Sequence, residues 1–165
     1  MNPKSSSGNS ILILGIGNEI LTDDGIGPKL VNDLDKGRFP PNVVFQTASL
    51  GGLELLDMMR DYDRVIFIDA IKTGKKKAGS VSCFTPDDFR ETLHLSNLHD
   101  INFLTALELG KRTGMKVPPS IHIIAIEIVE DKVFSSSFST EIGHCYQKIL
   151  QQVQHIIETL FSEPG

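Results

Sequence analysis

Acidic side chains and a histidine occur in three separate stretches of the chain where chemistry is expected. Two adjacent carboxylates, Asp23 and Asp24, lie in a glycine-rich loop that follows a short apolar run. Asp69 directly follows four large apolar residues, and His99 ends a short polar stretch. Two carboxylates and a neutral imidazole suit a borderline divalent ion such as zinc or nickel, and three ligands leave coordination positions open for a substrate.

The local context of each residue allows both a chemical and an ordinary interpretation. Burying an unpaired carboxylate costs several kcal/mol, so we expect Asp69 to face a cleft, a helix amide or a metal. Ser96 is a candidate N-cap, which places His99 in a first helical turn, where the helix dipole keeps the ring neutral. The ordinary interpretations are that Asp23 and Asp24 cap a helix and that a lone histidine is structural.

The other histidines give weaker signals. His122 lies within the apolar segment SIHIIAIE and is interpreted as a satisfied core or edge histidine. His144 and His155 lie on the last predicted helix and are expected to face solvent. His94 is close enough in sequence to His99 to compete as a ligand. No histidine besides His99 is therefore singled out for chemistry.

The two cysteines, Cys83 and Cys145, are too few for a secreted disulfide scaffold, so reduced thiols in a cytoplasmic protein are expected. Cys83 is expected to pack within a strand. Cys145 is adjacent to His144 on a helix, where neighbouring residues do not face each other, so a cysteine–histidine nucleophile is not expected. Residues 1–10 are polar and Ser-rich and are expected to form a flexible tail, and neither a secretory leader nor a membrane span is recognised.

The glycine-rich loop does not match a phosphate-binding motif. A dinucleotide fingerprint requires glycine or alanine where this chain has Ile20, and no G-x-x-x-x-G-K-[ST] sequence is present. Asp23 and Asp24 would also repel a phosphate. The net charge of -5 argues against a general nucleic-acid binder. A nucleotide-binding enzyme therefore rests on fold analogy alone.

Alternating short apolar runs and helix-periodic segments predict one α/β domain over residues 1–165. The predicted strands are 11–15, 42–47, 64–69, 79–84 and 120–127. The predicted helices are 25–36, 53–59, 100–111 and 140–161. A sheet covered on both faces is expected to bind ligands at the carboxyl ends of its strands, where all three stretches lie. A basic turn is expected to be a solvated loop, and its lysines are Lys72, Lys75, Lys76 and Lys77.

The sequence GIGNEILTDDGIG at residues 15–27 resembles the signature of the nickel–iron hydrogenase maturation endopeptidases. Shorter matches to the family follow in the right order. They are GGLELL at 51–56, IDA at 68–70, K-x-G at 72–74, GSV at 79–81 and SNLH at 96–99. The resemblance runs over nearly the whole chain, from about residue 11 to residue 160.

This resemblance implies a three-layer α/β/α sandwich with a twisted, mostly parallel five-stranded sheet. It implies an endopeptidase that removes the C-terminal extension of a hydrogenase large-subunit precursor, after a basic residue and after nickel insertion. The metal positions carried over by motif are Asp24, Asp69 and His99, with Asp24 preferred to Asp23 because it directly precedes Gly25. We expect the nickel to arrive with the substrate, with no organic cofactor, no nucleic acid and no membrane among the partners.

Two hydrolytic routes and one non-enzymatic alternative remain open from the sequence. The nickel could polarise the scissile carbonyl or activate water, or Asp24 or Asp69 could act as general base towards a water. The same ligands could instead serve a metal-binding chaperone or checkpoint that docks a hydrogenase precursor without cutting it. The hydrolytic routes predict a shortened precursor, whereas the checkpoint predicts a bound precursor of unchanged mass.

Overall fold

A computed structural model of the chain describes residues 9–49, 52–88 and 98–163, with the backbone alone for 98–102. The strands of the described part are β1 (Ile11–Ile16), β2 (Val43–Ala48), β3 (Arg64–Ile71), β4 (Val81–Phe84) and β5 (Ser120–Glu127). Its helices of seven or more residues are α1 (Ile26–Asp33), α2 (Leu53–Met59), α3 (Leu98–Arg112) and α4 (Thr140–Ser162).

The five strands form one sheet in the order β2-β1-β3-β5-β4. β1 is parallel to β2 and β3, and β3 is parallel to β5, whereas β4 at the edge is antiparallel to β5. The mostly parallel five-stranded sheet is thus confirmed. The chain moves from β1 outward to β2 and then back across β1 to β3, so the connections on either side of β1 diverge. Such a switch point opens a crevice at the carboxyl ends of the strands.

Helices cover both faces of the sheet, because side chains of successive strand residues point to opposite faces. In β3, Ile66 and Ile68 contribute to one apolar core together with residues of α1 and α4. Val65 and Phe67 contribute to a second core with residues of α2 and α3. All four of these β3 side chains are at most 1% exposed. The three-layer α/β/α arrangement is confirmed.

Helix α1 lies unusually close to the sheet because of a glycine in its first turn. A Cβ on Gly27 would fall 2.4 Å from the carbonyl oxygens of both Ile16 and Ile68, closer than real Cβ atoms come. Helix α1 therefore lies directly against β1 and β3. This contact places the preceding 3₁₀ turn, Thr22–Gly25, beside the switch point.

Element ends differ from prediction where side chains or turns intervene. Helix α1 ends at Asp33 rather than residue 36, because the Asp35 carboxylate accepts the Gly37 N–H (3.1 Å) and begins a separate 3₁₀ turn. Strand β4 begins at Val81 rather than residue 79, because Gly79 adopts a left-handed φ of 82° in the preceding turn. Both element ends are set by a polar or a glycine turn, and the pattern of apolar residues does not predict such turns.

The polar N-terminal stretch is fixed to the domain earlier than predicted. The Ser10 N–H donates to Asp63 Oδ2 (2.9 Å), and the Ser10 hydroxyl donates to the same oxygen (3.0 Å). The two hydrogen bonds lower the pKa of the Asp63 carboxyl. Ser10 therefore belongs to the folded domain rather than to a tail, and residues 1–8 lie outside the described residues. A search of the described helices for a membrane-crossing segment finds none of sufficient length and hydropathy.

Candidate functional site

A cleft of about 150 Å³ opens at the carboxyl ends of four strands. It is lined by residues that lie near the ends of β1 and β3 or follow β1, β2 and β5. They are Ile16, Gly17, Asn18, Leu21, Asp24, Ser49, Asp69, Ala70, Ile128 and Asp131. Its position is the one that the strand order predicts for ligand binding. Three of its lining side chains are carboxylates.

Asp24 reaches the cleft because the loop after β1 folds tightly back on itself. The Asn18 N–H donates to Asp24 Oδ2 (2.8 Å), and the Leu21 carbonyl accepts the Asp24 N–H (2.9 Å). Gly17 makes room for this fold, since a Cβ there would fall 2.0 Å from the Asp24 carbonyl oxygen. The glycines of the signature are thus explained by close backbone approach. The half-buried Asp24 side chain lines the cleft.

Asp23 has a different environment, although it is the next residue along the chain. Its side chain is fully buried, and it accepts four hydrogen bonds. The donors are the N–H groups of Val129 (3.3 Å), Glu130 (3.0 Å) and Ser139 (2.8 Å) and the Ser139 hydroxyl (2.8 Å). Asp23 therefore fastens the chain after β5 to the loop after β1.

The helix-cap interpretation of the two acids is wrong. The residue preceding α1 is Gly25, and no side chain caps the helix. Asp23 binds distant backbone groups, and Asp24 binds Asn18 within its own loop. A buried carboxylate with four donors is structural, so of the two acids Asp24 is the one available to a ligand.

Asp69 approaches the cleft from β3. The strand continues two residues beyond it to Ile71, so Asp69 lies inside the strand rather than at its end as predicted. Its side chain is half-buried and its Oδ1 accepts the Ala70 N–H (2.8 Å). Of the three environments expected for Asp69, a cleft, a helix amide or a metal, the structure shows the cleft, which Asp69 lines together with Asp24.

His99 is the second residue of α3, in the first turn as predicted. Its side chain lies outside the described residues, as do His94 and Ser96. Within the part of the chain that is described, no group of three His, Cys, Asp or Glu residues could hold a metal ion. A three-ligand set of Asp24, Asp69 and His99 therefore stays a prediction.

Asp131 is a cleft residue that the sequence analysis missed. Its carboxylate accepts a hydrogen bond from Lys72 Nζ (2.9 Å). That bond, offset in part by burial, raises the pKa of Lys72 and keeps the ammonium charged. Asp131 follows the end of β5 by four residues, so the strand-end rule that selected Asp69 would also have found it.

A buried glutamate anchors the turn that carries Lys72. Glu127 is 3% exposed and accepts hydrogen bonds from the Thr73 N–H (2.8 Å), the Thr73 hydroxyl (2.7 Å) and the Gly74 N–H (2.8 Å). The remaining lysines of the turn, at 75–77, are exposed, as predicted for a solvated loop. Lys72 differs from them because its ammonium group pairs with Asp131, which lines the cleft.

The prediction for His122 is wrong, whereas those for two other histidines are confirmed. The buried His122 Nδ1 has no hydrogen-bond partner, so the ring is not satisfied. Burial, and then the nearby Arg64 guanidinium, lowers the pKa of His122. His144 and His155 are exposed on α4. None of the three lines the cleft.

Cys83 was predicted to lie in a strand and to be packed there, and the second part of this prediction is wrong. Cys83 lies in edge strand β4, but its side chain is exposed. Cys145 is half-buried, and its Sγ lies 3.1 Å from the Glu141 carbonyl of its own helix. Neither cysteine forms a disulfide, and neither lines the cleft.

Comparisons with known proteins point to one family. A family model described as hydrogenase maturation protease matches residues 28–156. The hydrogenase 2 maturation protease of Escherichia coli is 38% identical over 119 residues, which cover 70% of this chain and 71% of that protein. The hydrogenase expression/formation protein HupD of Bradyrhizobium diazoefficiens is 38% identical over 73 residues, which cover 44% of this chain and 38% of that protein.

Solved structures share the fold. The hydrogenase maturating endopeptidase HybD from E. coli superposes with a TM-score of 0.73 at 24% identity, over 90% of this chain and 92% of that chain. An endopeptidase from E. coli solved in solution superposes with a TM-score of 0.70 at 25% identity, over 87% and 88% of the two chains. The three-layer arrangement described above is thus the arrangement of these proteins.

Proposed function

The chain belongs to the hydrogenase maturation protease family, and from this premise we propose that it removes the C-terminal extension from the large-subunit precursor of a nickel–iron hydrogenase. One observation carries the proposal. Asp24 and Asp69 come from separate elements and converge on one cleft, while the adjacent Asp23 is occupied by structural hydrogen bonds. A carboxylate held beside the scissile bond can act as general base towards the attacking water.

We further propose that nickel reaches this cleft as part of the substrate. Asp24 and Asp69 supply carboxylate oxygens, and His99 in the first turn of α3 would supply an imidazole nitrogen. Carboxylate and imidazole ligands together suit nickel, and an incomplete ligand set leaves room for ligands that the precursor provides. In this proposal the cleft ligands bind the nickel of the precursor. This contact distinguishes a nickel-loaded precursor from an unloaded one, and it positions the scissile peptide bond in the cleft.

Hydrolysis then follows one of two routes. In the first, substrate-borne nickel polarises the scissile carbonyl or activates the attacking water. In the second, the Asp24 or Asp69 carboxylate accepts a proton from the water as it attacks the carbonyl, and the carboxyl group so formed returns that proton to the leaving amine as the peptide bond breaks. Both routes require an ionised carboxylate at the cleft. The two cysteines without a disulfide fit the cytoplasm as the compartment of this reaction.

The test is the intact mass of hydrogenase large-subunit precursors, with and without nickel loading, after incubation with the protein. We expect a C-terminal peptide to be lost from the loaded form only. Loss from both forms would retain the peptidase but contradict nickel recognition. Nickel-dependent binding with no change in mass would contradict the peptidase and favour a non-cleaving checkpoint.

Binding measurements on a variant separate the two routes. If Asp69 is the general base, Asp69→Asn binds the loaded precursor as the wild type does but does not cut it. If Asp69 is chiefly a nickel ligand, Asp69→Asn loses the difference in affinity between loaded and unloaded precursor. Asp57→Asn is a matched control, because Asp57 lies exposed on α2 and pairs only with Arg60 in the described structure. The control is expected to bind and cut normally.

A further inference from the structure

An exposed apolar patch borders the cleft. Phe134 is 76% exposed, and Ile20 and Val133 are each 56% exposed. We call these three residues the rim patch. They are the three most exposed large apolar side chains in the described part of the chain. Leu21 and Asp131, which line the cleft, belong to the same two segments as the rim patch.

The backbone joins these two segments side by side. Leu21 forms a parallel bridge with Ser135, the Ser135 N–H donates to the Ile20 carbonyl (3.0 Å), and the Thr22 N–H donates to the Ser135 carbonyl (3.1 Å). Ile20 and Phe134 directly precede the two bridged residues. The bridge therefore holds Ile20 next to Phe134.

The rim patch is also held rigidly. Glu130 Oε1 accepts the N–H groups of Lys132 (2.8 Å) and Val133 (3.2 Å), which closes the turn before Phe134. The Thr22 hydroxyl donates to the Val133 carbonyl (2.6 Å) and holds Thr22 at a φ of 41° that non-glycine residues rarely adopt. Apolar side chains exposed on a fixed backbone are typical of binding surfaces, since little conformational freedom is lost on contact.

The size of the cleft indicates that binding must extend beyond it. At about 150 Å³ the cleft is smaller than the roughly 300–1,000 Å³ of an ordinary small-molecule site, and three carboxylates line it. A protein substrate that places one peptide bond in this cleft must cover the surface around the entrance. The rim patch lies beside that entrance, because Ile20 directly precedes Leu21, which lines the cleft, and aromatic side chains such as Phe134 are enriched in the cores of protein interfaces.

We propose that the rim patch is the docking surface for the hydrogenase precursor, which lays apolar residues flanking its scissile segment against Phe134, Val133 and Ile20. This inference rests on the proposed function, because it takes the precursor as the occupant. The cleft performs the chemistry, and the rim patch supplies affinity. Changes in the rim patch should therefore alter KM and leave kcat intact.

The experiment measures kcat and KM for cleavage of nickel-loaded hydrogenase large-subunit precursors by Phe134→Ser and Ile20→Ser. We expect KM to rise about tenfold or more for Phe134→Ser and by a smaller factor for Ile20→Ser, with kcat unchanged. Leu109→Ser is the control, because Leu109 is also exposed (45%) but lies on α3. Wild-type KM in both rim variants would overturn the docking surface and leave the peptidase intact.

A crosslinking measurement does not depend on turnover. A photoreactive phenylalanine derivative at position 134 is expected to crosslink to the loaded precursor, and the same group at position 109 is not. Crosslinking from 134 without any cleavage would support the surface and contradict the peptidase. Equal crosslinking from both positions, or none from 134, would overturn the surface.

Discussion

Replacing Asp23 should test whether the two adjacent acids have separate roles. The Asp23→Ala change removes the acceptor for three N–H groups and one hydroxyl that surround a side chain with no exposed surface. A hydrogen bond of this kind contributes about 1 kcal/mol net, so we expect the free energy of unfolding to fall by about 4 kcal/mol. Asp24→Ala removes one acceptor of a half-buried group and should cost about 1 kcal/mol or less.

The milder variant Asp23→Asn is expected to stay folded, so its free energy of unfolding can be measured even if the alanine variant does not fold. Three of the donors point at Oδ2 and only the Ser139 N–H points at Oδ1. An asparagine can place its oxygen at the Oδ2 position, which leaves its NH₂ group facing the Ser139 N–H. One buried unsatisfied donor costs about 1–3 kcal/mol, so we expect a loss of about 2 kcal/mol.

Urea unfolding followed by circular dichroism measures both changes. The expected order of stability is wild type, Asp24→Ala, Asp23→Asn and Asp23→Ala. An Asp23→Ala protein within about 1 kcal/mol of the wild type would refute the assignment of Asp23 as the anchor of the chain after β5. The same assignment would be refuted if the Asp24→Ala protein were less stable than the Asp23→Ala protein.

Changes at three other buried or half-buried positions have defined expected effects. Gly27→Ala should lower the free energy of unfolding by about 3 kcal/mol, because its methyl group would overlap two strand carbonyls; a normal melting temperature would contradict this packing. Glu127→Ala should lower the free energy of unfolding by about 3 kcal/mol, because it removes the acceptor of three hydrogen bonds from Thr73 and Gly74, and an unchanged urea midpoint would contradict this role. Burial lowers the pKa of the His122 side chain from its ordinary value of about 6.5, so the unfolded chain binds the proton more readily and the free energy of unfolding falls as the pH drops below about 6.5. His122→Leu should remove that fall and add about 1 kcal/mol, and an identical pH profile of stability would refute it.

Much of the fold follows from apolar patterning. Helix α2 (Leu53–Met59) and strand β5 (Ser120–Glu127) match their predicted ranges at both ends, because each is a clear run or stripe of apolar residues. Element ends that depend on a polar side chain, such as Asp35 after α1, were missed. The apolar pattern records burial, and it does not record which carboxylate accepts a nearby N–H group.

The candidate site is less accessible to sequence reasoning because its partners are distant along the chain. Asp23 and Asp24 have the same side chain and the same local context, and the donors that distinguish Asp23 lie 106 to 116 residues away. The strand-end rule makes Asp131 one candidate among several residues after β5, and the pairing of β5 with β3 is what brings it to the cleft. Family resemblance separated Asp24 from Asp23 before any geometry was considered, whereas it offered nothing for Asp131.

The most direct test of the account is the rate at which Asp24→Asn and Asp69→Asn cut the nickel-loaded precursor, measured by intact mass beside the exposed control Asp57→Asn. We predict that each cleft variant loses about a hundredfold or more in rate while its free energy of unfolding stays within about 1 kcal/mol of the wild type. The control should cut at the wild-type rate. Full activity in either cleft variant would contradict the claim that Asp24 and Asp69 together form the working site.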